Sequence, residues 1–253
     1  TLKIVVLIIS LLSILCFYLL SREMFKEKTA VLATFLYSVT PMHIIFSQHI
    51  RSYILMFLLF NISLIFLYKF SVKNNKNALF YLTIIYILSI YTHYYSILFI
   101  VGSSVFILSY SILKNDKEKI KQFLIAMLIV FVLVLPAFFL LKIQLSTLFE
   151  DQTHNAISLS VIPYPLYKMS LMVDLSTTLN KFPYLLLTPF MLVALSIYGL
   201  IKIYKSKENF TFLALNFVAP YLFLAVIGLI TPAFSFRYLA YLLPIYILLI
   251  ANG

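Results

Sequence analysis

Acidic residues are scarce in this chain. It has 8 Asp and Glu against 19 Lys and Arg, and only 11% of its 253 residues are charged. A soluble domain carries about 25% charged residues, so water is excluded as the main solvent. Disorder is excluded by the same shortage, because disordered chains are polar. Glycine numbers only 4, which leaves no Gly-rich loop to cradle a nucleotide phosphate. The single cysteine, Cys16, has no partner for an internal disulfide, reports no redox compartment and sits inside an apolar run as a small lipid- or helix-facing residue. No Ser nucleophile elbow is present. His43 and His49 lack metal-protease spacing and have no carboxylate beside them, so a histidine zinc site is not expected.

What is abundant is apolar. Hydrophobic residues make up 63% of the chain, and the mean hydropathy is +1.05. One core cannot bury so much apolar side chain, because surface falls too slowly relative to volume at this size. The net charge of +11 does not mark a nucleic-acid binder. That class needs basic residues gathered on one face with aromatics between them, whereas here Lys falls in short runs between apolar stretches. The composition predicts an all-α, polytopic transmembrane helical bundle.

A spanning helix needs about 20 mostly apolar residues. Nine segments qualify or nearly so: 2–20, 29–46, 52–68, 78–91, 95–113, 123–141, 184–201, 210–230 and 239–252. The expected count is therefore eight to nine spans in a single transmembrane domain over 1–253. Thr92-His93-Tyr94 interrupts the apolar block 78–113 and is read as a tight turn between two helices. The loops 21–28, 69–77, 114–122 and 202–209 hold 13 of the 19 Lys and Arg. The positive-inside rule places them in the cytoplasm. The alternation then puts 47–51, 92–94, 231–238 and the long segment 142–183 outside, in a multi-pass protein of the plasma membrane. It also puts the N-terminus outside. Together with the opening Thr1 and the short final segment, this predicts a piece of a longer protein, with a further helix ahead of Thr1. Pro163, Tyr164, Pro165, Tyr167, Phe182 and Pro183 give 142–183 an interfacial character, since Tyr favours the headgroup layer.

The outer side also collects the chemistry. His43, His49, His93 and His154 fall there, as do Arg51 and Arg237. Pro41 is expected to end or kink the second span, and Ser47 to cap the third. Gln48 and Arg51 lie three apart and His49 and Tyr53 four apart, so each pair is expected to share a helix face. Arginine at this depth is costly without a partner, and its planar fork suits an anionic phosphate. His93, beside Tyr94, is placed to donate to a sugar hydroxyl or to shuttle a proton. Phe236-Arg237-Tyr238 brings a second guanidinium to the outer boundary. The bland alternative for each of these side chains is an interfacial anchor.

The stretch FKEKTAVLATFLYSVTPMHIIFSQHIRSY, from Phe25 to Tyr53, resembles the GT-C superfamily of membrane glycosyltransferases. The nearest group is the dolichyl-phosphate-mannose protein mannosyltransferase-like enzymes, with their Pro, aromatic stretch and Ser-Gln-Glu-x-Arg-x-Tyr. LSIYTHYYSIL, residues 88–98, is similar to their Leu-Tyr-Thr-His-Tyr segment. Phe236-Arg237-Tyr238-Leu239 before Leu243-Pro244 is similar to their late Arg-Tyr-Leu-x-Pro segment. The resemblance implies a polyprenyl- or dolichyl-phosphate sugar donor and a lipid, glycan or protein acceptor. It implies transfer of a mannose-like hexose at the outer membrane face, by a catalytic carboxylate in a first outer loop ahead of Thr1. One departure stands out: the family's Glu after Ser47-Gln48 is His49 here, which makes His49 the fallback base. The expected substrate-binding residues are Gln48, Arg51, Tyr53, His93, Tyr94, Arg237 and Tyr238. No metal ligand is named, a divalent cation is left open as cofactor, and membrane lipids but no nucleic acid are expected partners. The competing readings are a transporter or flippase of lipid-linked sugars, and an O-antigen ligase or polymerase-like transferase. The first predicts acids within the spans and related halves, neither of which the sequence has.

Overall fold

The computed structural model describes residues 2–150, 164–172, 178, 180–230 and 236–253; for 138–150, 227–230 and 236–238 it describes the backbone only. The described residues are helical throughout their regular structure, with no β-strand among them. The chain is an all-α helical membrane bundle. Six helices are long and apolar enough to cross a membrane, or seven when a bent pair is taken as one span. Two further apolar helices, Asn77–Thr92 and Leu239–Asn252, are shorter. All nine expected segments are therefore present as helix, but two fall short of a full crossing.

In chain order, α1 is Leu2–Met24, α2 Glu27–Val39, α3 Pro41–Gln48, α4 Tyr53–Ser71, α5 Asn77–Thr92 and α6 Ile97–Leu113. They are followed by α7 Lys117–Glu150, α8 Tyr164–Leu171, α9 Leu187–Ile203, α10 Lys207–Ile230 and α11 Leu243–Asn252. The bend between α2 and α3 is 53°, and its cause is local. Proline's ring disfavours the helical region for the residue before it. Thr40 accordingly sits at φ −63°, ψ 131°, and Pro41 opens α3 at a position whose amide proton is not needed. The break at His93 is equally local. His93 is extended, ends α5, and starts a 3₁₀ turn, Tyr94–Ser96, that leads into α6.

Helix α4 is the axis of the bundle. Its buried side chains, among them Phe57, Phe60, Asn61, Leu64 and Tyr68, lie on all its faces, as expected of a helix apolar all round and enclosed by others. It packs against α1, α5 and α6. By contrast α1 leaves a row of apolar side chains exposed, Ile4, Ile8, Leu11, Leu15 and Leu19, a surface suited to lipid. Helices α7 and α9 do the same with residues such as Leu128 and Phe190. Small residues allow two close crossings. A Cβ on Gly102 of α6 would stand 2.9 Å from Pro220 Cγ of α10, and one on Gly199 of α9 would collide with the Leu249 carbonyl of α11. Polar side chains pin three helices together: the Ser13 and Tyr37 hydroxyls lie 2.9 Å apart, and Asn61 Nδ2 donates to the Ser13 carbonyl at 3.1 Å.

The four basic loops meet at one end. Lys69 reaches Glu23 at 3.3 Å, Lys119 donates to Asn74 Oδ1 at 2.7 Å, and Lys114 reaches Glu208 at 3.3 Å. Asn209 ties the same end together, donating to the Met24 carbonyl at 2.9 Å and accepting from Tyr68 at 2.8 Å. The opposite end is formed by the α3–α4 turn, the α5–α6 turn and a 3₁₀ segment, Phe236–Leu242, that precedes α11.

Candidate functional site

The end opposite the basic loops brings two of the three expected motifs into contact. Helix α3 stops at Gln48, and residues 49–52 form a non-helical turn in which the Arg51 N–H donates to the His49 carbonyl at 2.8 Å. Tyr53 then opens α4, stacked on Phe46 at 4.8 Å and 6.0 Å from the His93 ring. His93 in turn lies 5.1 Å from Tyr94 and 5.7 Å from Tyr95, whose rings are 4.5 Å apart. Phe46, Tyr53, Tyr94 and Tyr95, with the His93 imidazole among them, thus knit the Gln48–Tyr53 turn to the Thr92–Tyr95 turn. Gln48, His49 and Arg51 are exposed on it, while Tyr53, His93 and Tyr94 are half-buried.

The local chemistry follows from these placements. His93 Nδ1 accepts the Tyr95 N–H at 3.3 Å, which makes Nε2 the proton-bearing nitrogen of the neutral ring. Burial pushes the His93 imidazole below its ordinary value, because the charged form is poorly solvated there. The site therefore presents a neutral imidazole donor together with an exposed guanidinium.

The third motif arrives on the 3₁₀ segment. Tyr241 is buried between Phe60 of α4, at 4.9 Å, and Phe99 of α6, at 4.3 Å. Those residues lie below the Tyr53 and His93 turns, so the backbone carrying Arg237 and Tyr238 enters at the same end of the bundle. The side chains of Arg237 and Tyr238 lie outside the described residues. So do His154, Asp151 and Asp174 of the long 142–183 segment, together with the side chain of Glu150. Within that segment α7 continues to Glu150, and α8 packs on α3 and α9, its Ser170 hydroxyl 3.1 Å from Tyr246 of α11.

Two expectations about local structure are corrected. Ser47 does not cap the third span. Its hydroxyl donates back to the Ile44 carbonyl at 2.7 Å, and the residue before α4 is Ser52, whose side chain makes no capping bond. Nor do Gln48 and Arg51, or His49 and Tyr53, share a helix face, because α3 ends at Gln48 and the non-helical residues 49–52 intervene before α4. Gln48 at the end of α3, and His49 and Arg51 in the turn, are all exposed.

Tyr95 and Phe46 were not among the expected site residues, although they complete the ring cluster. The doubled tyrosine after His93 was the available signal for the first. Phe46 carried none, since an aromatic at the end of an apolar run reads equally well as core. Every carboxylate whose side chain is described, namely Glu23, Glu27, Asp116, Glu118 and Glu208, belongs to the basic end. Among the described residues no three His, Cys, Asp or Glu side chains are grouped to hold a metal ion.

Comparison with known proteins returned one family. The model for dolichyl-phosphate-mannose-protein mannosyltransferase matches residues 1–140, more than half of the chain and inclusive of both joined turns. No curated protein and no solved structure matches the chain.

Proposed function

Because the chain belongs to the dolichyl-phosphate-mannose-protein mannosyltransferase family, we propose that it moves a mannose-like hexose from a polyprenyl-phosphate carrier to an acceptor hydroxyl at the extracytoplasmic membrane face. At the general level it is a multi-pass membrane glycosyltransferase that uses a lipid-phosphate-linked sugar. The proposal adds the sugar class, the side of the membrane and the residues. It treats 1–253 as one transmembrane domain with 142–183 on the outer side.

The observation that carries this reading is the meeting of the Gln48–Tyr53 and Thr92–Tyr95 turns through the Tyr53–His93 ring contact, at the end away from the basic loops. The reaction explains why such a site needs an arginine. In the transfer, the bond between the sugar's anomeric carbon and the carrier phosphate breaks. A bond from that carbon to the acceptor oxygen forms, and the acceptor's proton passes to a base. The phosphodiester starts with one negative charge and leaves as a monoester carrying a second. A guanidinium beside it is therefore bound more tightly in the transition state than in the ground state, which is the condition for accelerating the step. Arg51 and Arg237 take this role, with Gln48 and Tyr238 as further donors. Neutral His93 and Tyr94 orient sugar or acceptor hydroxyls, and Tyr53 holds His93 in place. The departing oxygen needs no protonation, because a phosphate monoester is a good leaving group. The acceptor's base is a carboxylate outside the described set, in the position that the resemblance assigns to a first outer loop, with His49 as fallback.

The test is transfer of a radiolabelled hexose from a polyprenyl-phosphate donor by the full-length protein in proteoliposomes. Arg51→Ala and Arg237→Ala should each lower turnover by about 10²–10³, the cost of deleting one donor to a developing charge, with insertion unchanged. Wild-type turnover in both variants would remove the assignment.

A further inference from the structure

At the basic end, far from the proposed site, a cavity of ≈ 410 Å³ opens between the α4–α5 loop, the α6–α7 loop and the start of α10. That volume lies within the range of about 300–1,000 Å³ typical of small-molecule sites. Its floor is buried Ser71, Tyr110 and Lys119, and its mouth is exposed Asn74, Lys114 and Asn115.

The lining sorts into groups already committed and groups still able to bind. The Lys119 ammonium is spent on the fold: it donates to the Ser71 carbonyl at 2.9 Å and to Asn74 Oδ1 at 2.7 Å, and lies 3.3 Å from Asp116. Asp116 is occupied from both sides, because its carboxylate also accepts the Lys119 backbone N–H at 2.9 Å. That bond, foremost, holds its carboxyl below the usual range, so it stays ionised and paired. Glu208 accepts the Tyr110 hydroxyl at 2.8 Å. What remains at the mouth is donor-rich. Lys114 is more than half exposed, with one 3.3 Å contact to Glu208 and its ammonium 5.6 Å from the Tyr110 ring centre. Asn74 has its carbonyl oxygen engaged, so its amide nitrogen keeps its protons for a ligand. Asn115 adds a second exposed amide. Asn74 and Asn115 each stand in the left-handed region, at φ 56° and 55°, which Asn tolerates better than most residues. This lets both short loops turn back beside one another around the same opening.

The surrounding loops are net positive. The four loops at this end carry thirteen basic and five acidic residues. From this combination we propose that the cavity is a binding site for the phosphodiester headgroup of an anionic phospholipid, taken from the leaflet at the basic end. Lys114 meets the phosphate charge, and the Asn74 and Asn115 amides donate to its oxygens. The acyl chains run down the exposed apolar surface alongside, where Ile112 and Leu113 of α6 face outward. Both a lipid and free inorganic phosphate offer the same oxyanion. The lipid is favoured because the mouth opens at the end of a span, where headgroups lie, and because apolar surface adjoins it. The lining itself balances Lys114 and Lys119 against Asp116 and Glu208, so the attraction comes from the basic loops around it and the selectivity from the Lys114, Asn74 and Asn115 donors at the mouth.

The experiment is native mass spectrometry of the full-length protein, released from micelles that contain equimolar phosphatidylglycerol and phosphatidylcholine. The wild type should retain phosphatidylglycerol with at least about fivefold preference, the effect of one lysine beside an anionic headgroup. Lys114→Gln should reduce that preference to near unity, and Lys114→Arg should keep it. Lys205→Gln removes the same charge from the α9–α10 loop, outside the cavity lining, and should leave the preference intact. An equal loss in Lys205→Gln would reduce the effect to the diffuse field of the whole rim and overturn the site. Equal retention of both lipids by the wild type would overturn it too, as would displacement of the lipid by millimolar inorganic phosphate. None of these outcomes depends on sugar transfer, so the headgroup site and the proposed reaction stand or fall separately.

Discussion

At the scale of single residues, His93 carries the most specific expectation. Its Nδ1 accepts the Tyr95 N–H, and its burial disfavours the cation. Protonation would put a proton on Nδ1, lose that bond and leave a poorly solvated charge. A histidine with a depressed value contributes stability that is fully present above its unfolded value of about 6.5 and is lost as pH falls through the lower folded value. The neutral ring also suits a hydroxyl donor. Sugar transfer should therefore be flat above about pH 6.5 and fall off on acidification, with the midpoint below that value. In His93→Gln the amide retains donor capacity but cannot titrate. Its pH–rate profile should be lower throughout and lose the limb set by the imidazole, keeping only the fall at lower pH where the carboxylate base is protonated. Arg51 offers a complementary test of geometry against charge. Lysine keeps the charge but not the planar fork, so Arg51→Lys should retain more transfer than Arg51→Ala yet stay well below wild type, read from single-turnover rates. If lysine restored full activity, the fork would be irrelevant and a diffuse charge would suffice.

At the scale of elements, the helix crossings set the sharpest constraint. Gly199 faces the Leu249 carbonyl of α11 across a gap that admits no side chain. Gly199→Ala must push α9 and α11 apart, and a core forced open in this way typically costs about 1–3 kcal/mol. The expected result is a lower midpoint of thermal unfolding in detergent. Ile197→Ala serves as the comparison, because it alters an exposed side chain of the same helix and should leave the midpoint nearly unchanged. How much of these elements was legible in the sequence depends on the kind of signal. Pro41 and His93 announced their breaks, because backbone restriction at proline and a polar triplet inside an apolar block are local facts. The end of α3 at Gln48 was not legible. Residues 47–53 carry a helix-compatible polar pattern, and nothing in it marks a turn, so the sequence alone suggests a Ser47 cap and a face shared by Gln48 and Arg51 that the chain does not form. The short length of α5 was visible, but its packing beside α4 and α7 was not. The Tyr53–His93 contact joins residues far apart in the chain, and only the alternation of spans hinted that the two turns share an end. Phe46 and Tyr95 joined the cluster without a sequence signal strong enough to separate them from core.

At the scale of the whole molecule, the two ends of the bundle differ in kind. One is laced by lysines and carboxylates: Lys69 to Glu23, Lys114 to Glu208 and Lys119 to Asp116. The other exposes Gln48, His49 and Arg51 above an aromatic cluster and has no carboxylate among its described side chains. The solvent-accessible pairs, Lys69 with Glu23 and Lys114 with Glu208, are individually worth about 0–1 kcal/mol, so they are a weak source of stability. The larger consequence of this end is directional. Basic loops resist translocation, and thirteen Lys and Arg lie in the loops of one end, which predicts that this end stays in the cytoplasm. The opposite end would then face outward, where a sugar already carried across the membrane on a lipid meets its acceptor. Single-cysteine labelling tests the orientation on a Cys16→Ser background, which removes the chain's one native thiol. Gln48→Cys and Asn75→Cys both replace exposed side chains, so neither should disturb packing. In intact cells a membrane-impermeant maleimide should label Gln48→Cys and spare Asn75→Cys. After permeabilisation both should react. The reverse pattern would turn the bundle over, place Arg51 in the cytoplasm and remove the outward-facing transfer reaction, while leaving the family and the geometry of the two turns as they are.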